Sequence, residues 1–154
     1  MKSSWRGILK ILEAQHIRDG SVVWSESNIH NVLHADGEMF MLSCCFANDG
    51  TVVPGQYYFG LDARSSVSVT DVMVDISGEP SGNGYTRQTV LSNGGFTVVQ
   101  QSGIYRAVPN VVTFTASGSG YGPVRNLFLT NKSDGSGYLI STATLSSPVT
   151  LSAG

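Results

Sequence analysis

Two histidines, His30 and His34, stand four residues apart. On a helix that spacing would set both rings on one face, where Asp36 or Glu38 could join them around a metal ion. The glutamate that zinc hydrolases carry within this motif is missing, so the pair reads as surface or capping side chains and no metal is expected. Cys44 and Cys45 are adjacent. Neighbouring cysteines rarely bridge, because the geometry strains the backbone. A nucleophilic thiol needs a cationic neighbour and access. Leu42, Ser43 and Phe46 flank the pair without charge, so both cysteines read as reduced, buried apolar residues. The carboxylates Asp62, Asp71, Asp75 and Glu79 are scattered, and no two form the facing pair that glycoside hydrolysis requires. Gly118-Ser119-Gly120-Tyr121-Gly122 lacks the Lys-Ser/Thr of a phosphate loop and opens no helix; it reads as an inter-strand turn. Asn131-Lys132-Ser133 matches a glycosylation pattern, which carries no weight without a secretory signal. No catalytic residue can be named and no cofactor is implied, so the chain reads as not an enzyme; a small hydrolase ranks last among the alternatives.

Tyrosines are the remaining chemical feature. Tyr57, Tyr58, Tyr85, Tyr105, Tyr121 and Tyr138 combine a large apolar ring with a polar tip. They could form a surface that contacts carbohydrate or protein, with Tyr57, Tyr58 and Tyr121 the foremost candidates. Equally, alternate strand tyrosines could simply cover a sheet.

The elements that must position these residues follow from composition and pattern. The chain has 154 residues, enough for one ordinary domain that needs no disulfide or metal to hold together. Charged residues make up 13% of it, about half the usual share. Glycine is frequent, at 18 residues. Serine and threonine supply about a fifth of the chain, again above the usual share. Coiled coil and disorder both call for a different composition. A net charge of −2 leaves no basic excess to drive nucleic-acid binding. Met1 to Lys10 has no long apolar run, so a signal peptide is not expected, and no 18-residue apolar stretch predicts a membrane span.

Residues 1–27 read as an N-terminal β-hairpin that could serve as a docking segment. Runs at 8–17 and 21–24 flank Asp19-Gly20, a strong short turn signal. A lone hairpin is marginal in water, so this one must pack on the body or on another chain. Trp5 and Trp24 are its large anchors, with Ile8 and Ile11 beside them. Residues 28–154 read as a single mainly β body with a short helical region at about 29–47. Asn28 is placed as a cap for a helix through Ile29, Val32 and Leu33, stopped by Asp36-Gly37. For 38–47, periodicity does not separate helix from strand. Length and the helix-favouring Met, Leu and Glu tip it to a buried helix. A strand is expected at 56–62, and one or two helical turns at 71–76 behind Thr70. After the loop at 78–84, short strands are expected at 86–91, 96–101, 110–116, 124–130, 137–144 and 148–152. Gly- and Asn-rich turns separate them, as in an antiparallel β-sandwich or jelly-roll-like fold. The last expected strand could leave an exposed edge, a template for pairing with another chain.

The order of these segments resembles a known group. Asp19-Gly20-Ser21-Val22-Val23-Trp24 is followed by Asn28-Ile29-His30-Asn31-Val32-Leu33-His34 and Asp36-Gly37-Glu38. Later come Gly84-Tyr85-Thr86-Arg87-Gln88, Gly122-Pro123-Val124-Arg125-Asn126-Leu127-Phe128-Leu129, Leu139-Ile140-Ser141-Thr142-Ala143 and Leu145-Ser146-Ser147-Pro148-Val149-Thr150-Leu151. Over most of its length the chain resembles small bacteriophage virion proteins, found in short-tailed phages among others. The motifs are structural and include no catalytic residue. Members of the group often run past the final glycine into one more strand. The resemblance implies a multi-copy virion part made in the host bacterial cytoplasm. A tail fibre or tail-attached appendage comes first and a capsid decoration protein second. It also implies self-association, with a trimer as the expected oligomer, and contact with other virion proteins. A host-carbohydrate-binding module acting through the tyrosines is the alternative of a different kind.

Overall fold

The structure, a computed structural model, describes residues 8, 9 and 11–153. It is mainly β, with a β-sandwich-like body, one helix and an N-terminal hairpin. The central sheet has five strands in the order β4-β10-β9-β5-β6. These are β4 (His30–Leu33), β5 (Gln56–Asp62), β6 (Gln88–Leu91), β9 (Tyr121–Thr130) and β10 (Leu139–Leu151), and all their pairings are antiparallel. A smaller sheet joins β1 (Ile8–Leu9), β8 (Ile104–Pro109) and β7 (Phe96–Gln101). The hairpin is β2 (Glu13–Arg18) with β3 (Ser21–Ser27). Helix α1 spans Ala35–Phe46.

Strand alternation gives the central sheet two different faces. Phe59 and Leu61 on β5 stand beside Leu129 and Leu127 on β9. This face is apolar, and Val90, Val124, Ala143 and Leu145 continue it. Ile11, Ala14 and Trp24 of the N-terminal region, Phe96 at the start of β7, and Val112, Phe114 and Ala116 pack over it as a second layer. On the opposite face Asp62 stands beside Asn126, and Gly60 beside Phe128. Gly60 carries no side chain because the Phe128 ring lies on it: a Cβ there would sit 2.2 Å from the ring. Met73 and Leu139 pack with Phe128, and the segment after β5 covers this side.

Both tight hairpins use turns with two positive φ angles, the form that matches strand twist. Asp19 and Gly20 have φ of 49° and 75°; Ser102 and Gly103 have 52° and 78°. The strands expected at 56–62 and 96–101 form with those bounds. Several other expectations are corrected. The run at 8–17 divides, because β1 leaves the hairpin to pair in parallel with β8. The helix expected through Ile29, Val32 and Leu33 is instead strand β4, paired with Ser141–Thr144. Its apolar spacing fits either state, and the sheet ladder decides between them. Asn28 takes a left-handed turn at φ 56° rather than a cap position. Asp36-Gly37 does not end a helix but lies in the first turn of α1. A Cβ on Gly37 would sit 2.5 Å from the Ile140 backbone, so glycine lets the helix press on β10. Residues 110–116 carry no strand ladder; the partner of β7 is β8, which Ser102-Gly103 turns back immediately. The strands expected at 137–144 and 148–152 are one long strand, β10, with register shifts in between. The turns expected at 71–76 shrink to a single 3₁₀ turn at Met73–Asp75.

Candidate functional site

Asp62, Arg64, Asp71 and His34 gather at the polar face of the central sheet. Asp62, at the end of β5, is fully buried. Its Oδ1 accepts from the Arg64 backbone N–H at 2.9 Å and from Asn126 Nδ2 at 2.6 Å. Its Oδ2 accepts from Arg64 Nε at 3.1 Å and Nη2 at 2.9 Å. Arg64 Nη1 reaches Asp71 Oδ2 at 2.9 Å, so one guanidinium bridges two carboxylates. Arg64 Nη2 also donates to Thr142 Oγ1 at 3.1 Å, and Asn126 Nδ2 donates to the Arg64 carbonyl at 2.9 Å. Asn126 Oδ1 is buried without a partner among the described residues.

His34 completes the cluster. It precedes the first turn of α1 and is fully buried. Its Nδ1 lies 2.9 Å from the Ser68 carbonyl, which can only accept, so Nδ1 carries the hydrogen. In the neutral ring Nε2 accepts from Thr142 Oγ1 at 2.8 Å. The ring is neutral, with both nitrogens committed. Desolvation is the largest influence lowering its pKa, and the Arg64 charge lowers it further. His30, by contrast, lies on β4 and is exposed. The two histidines therefore share no helix face, which corrects the metal geometry considered from spacing. Among the described residues no three His, Cys, Asp or Glu side chains form a group able to hold a metal ion.

The cysteines also separate. Cys44 is partly buried against the apolar face, and burial raises its thiol pKa. Cys45 is exposed, which corrects the expectation that both lie in the core.

The tyrosines mostly serve packing. Tyr57 is half-buried, edge-on to Phe40 and Phe96. Tyr121 is buried, its hydroxyl without a hydrogen-bond partner among the described residues, so it is not the surface contact expected of it. Tyr85 stacks on Phe114; its hydroxyl donates to Glu79 at 2.8 Å and accepts from the Leu61 N–H at 3.0 Å. Burial raises its pKa far above the ordinary value. Arg87 is held by both Glu79 oxygens and lies over the Phe128 ring at 5.1 Å. Tyr58, half-buried, borders a shallow depression with Glu79, Tyr85, Arg87 and Ser133. Tyr105, on β8, is exposed.

Of the docking residues expected in the N-terminal region, Ile11 and Trp24 pack inward onto the body. Trp5 lies outside the described residues, and of Ile8 only the backbone pairing is described. The hairpin's outward apolar residues are Ile17, Val22 and Val23 near its turn. Spacing alone did not single these out. Nor did it resolve the second apolar surface, on α1. Gly37, Phe40, Met41 and Cys44 face the sheet, while Met39, Leu42 and Phe46 lie three and four residues apart on the outward side. They are 51%, 41% and 85% exposed, and the exposed Val52 and Val53 follow in the chain. The sequence signal for this is present, because beyond its acidic first turn α1 carries apolar residues on both its inward and its outward side. A helix of that kind is ordinarily covered all round.

Among the described residues no helix is long and apolar enough to cross a membrane. Compared with known proteins, the chain matches no protein family, no curated protein and no solved structure.

Proposed function

We propose that this chain is a multi-copy structural subunit of a bacteriophage particle, a tail fibre or tail-attached appendage. In this reading it associates with itself and docks through its N-terminal hairpin. The observation that carries the self-association is the outward stripe of Met39, Leu42 and Phe46 on α1. Exposed apolar surface of this kind, grouped rather than scattered, is what an interaction site presents. The placement in a virion rests on the sequence resemblance. Ile17, Val22 and Val23 at the hairpin turn are the residues that would meet a second virion protein. Light scattering tests the first part. The wild-type chain is expected as a closed oligomer, and Leu42→Asp with Phe46→Asp as a folded monomer. A wild-type monomer removes the self-association reading. Quantitative mass spectrometry of intact particles tests the placement: a few dozen copies fit an appendage, hundreds fit a capsid decoration protein, and absence removes the virion reading.

A second reading, contact with host carbohydrate, is favoured by the depression bordered by Tyr58, Glu79 and Arg87. Glycan-array binding that Tyr58→Ala abolishes would support it; silence across a broad array would count against it.

A further inference from the structure

We propose that the cleft between the N-terminal hairpin and the apolar face of the central sheet binds a small amphiphile. The ligand has an apolar chain ending in a hydroxyl or carboxyl group, and His16 holds that polar end. The inference is independent of where the protein is assembled. The cleft has a volume of about 590 Å³ and is partly open to solvent. Ligand pockets run from about 300 to 1,000 Å³ and are mostly apolar with a few placed polar groups. Trp24, Phe59, Leu61, Phe114, Leu127 and Val149 contribute to the walls. Water against such walls is released on ligand entry, which drives apolar binding.

His16 supplies the polar anchor. Alternation along β2 leaves Glu13 and Gln15 exposed and turns Ala14 and His16 toward the body. Gln15 Nε2 donates to Glu13 Oε1 at 2.9 Å. His16 lines the cleft, is only 8% exposed, and its buried Nε2 has no hydrogen-bond partner among the described residues. Burying such an atom unpaired costs stability, and a ligand hydroxyl or carboxyl would satisfy it. One wall is held without a strand ladder. Residues 110–116 carry no strand ladder and are tied at their ends, by Asn110 N–H to the Gly95 carbonyl at 2.8 Å and Ser117 N–H to the Asn83 carbonyl at 2.8 Å. Between these ties Val112, Phe114 and Ala116 pack on the core through side chains. A space walled by the chain itself suits a small molecule better than a folded partner.

Trp24 lines the cleft and reports on it. Trp5→Phe removes the other tryptophan and leaves Trp24 as the sole tryptophan, excited apart from the tyrosines at the red edge of the absorption band. This chain is titrated with dodecanoate and with 1-dodecanol, both below their aggregation concentrations. A saturable change in Trp24 emission is expected. His16→Phe should weaken both ligands about tenfold, the factor set by one hydrogen bond of ordinary strength. Ala116→Phe, which fills the cleft, should abolish the change. If Ala116→Phe does not fold by circular dichroism, His16→Phe alone decides. No saturable change with either probe, or equal affinity in His16→Phe, overturns the proposal.

Discussion

Replacing Asp62 with alanine tests what holds the polar face of the sheet together. The buried carboxylate accepts four hydrogen bonds, three from Arg64 and one from Asn126. Removing it leaves the buried guanidinium with Asp71 and Thr142 alone. Breaking a buried ion pair from one side costs about 3–5 kcal/mol, because the remaining charge stays desolvated. For a chain of this size each kcal/mol lowers the melting temperature by about 2–4 °C. Asp62→Ala should therefore melt about 6–20 °C below the wild type. Urea unfolding followed by circular dichroism measures the free energy directly, with an unchanged denaturant slope expected if the folded state keeps its shape. Replacing Asp62 and Arg64 together by apolar residues of similar size, Asp62→Leu with Arg64→Met, should recover part of the loss, since the buried guanidinium goes with its carboxylate while Asp71 keeps the Ser68 N–H. A cost below about 1 kcal/mol for Asp62→Ala, or a double variant no better than the single one, would refute this account.

His34 adds a pH dependence with a definite sign. Its folded pKa lies below the ordinary 6.5, so the folded ring stays neutral where the unfolded ring takes a proton. Its contribution is complete above about pH 6.5 and is lost as pH falls below that value. Urea unfolding from pH 8 to 5 should show the decline, and His34→Gln should flatten it; an unchanged slope in that variant would remove His34 as the cause. Gly60→Ala places a methyl 2.2 Å from the Phe128 ring. It should destabilise by at least about 1–3 kcal/mol, the usual cost of overpacking. Pairing it with Phe128→Leu should restore part of the loss, and a wild-type melting temperature for Gly60→Ala alone would show that the ring moves aside freely.

The fold was legible wherever local chemistry and tertiary packing agree. Asp19-Gly20 demands a tight hairpin turn and forms one. Gln56–Asp62 pairs on both edges, and its aromatics suit a strand in either context. Ser102-Gly103 carries an equally local turn signal, and because it turns the chain at once, β8 forms at Ile104–Pro109, ahead of the strand expected at 110–116. The error at Ile29 to Leu33 has a different cause. Five residues with apolar spacing fit both helix and strand, and the deciding partner, Ser141–Thr144, lies over a hundred residues away. The polar cluster was illegible for the same reason. Asp62, Asn126, Thr142 and His34 come from four separate segments, and only the sheet register brings them together. In the sequence Asp62 reads as one of several scattered carboxylates and His34 as half of a histidine pair, and nothing there pairs the two with each other.

Strand β10 sits inside the central sheet, between β4 and β9, although it follows the other described strands in sequence. Helix α1 leans on it at Gly37, and Asp36 of that helix accepts the Leu139 N–H across 103 residues of sequence. At about 5–20 residues per second, the ribosome delivers β10 roughly 5–20 s after α1. During that interval neither apolar side of the helix has the β10 surface on which one side rests. Synthesis therefore includes a period in which nascent chains can capture one another before the sheet closes. A chaperone that shields α1 until Leu139 emerges should raise the soluble yield more than one that acts only on the released chain.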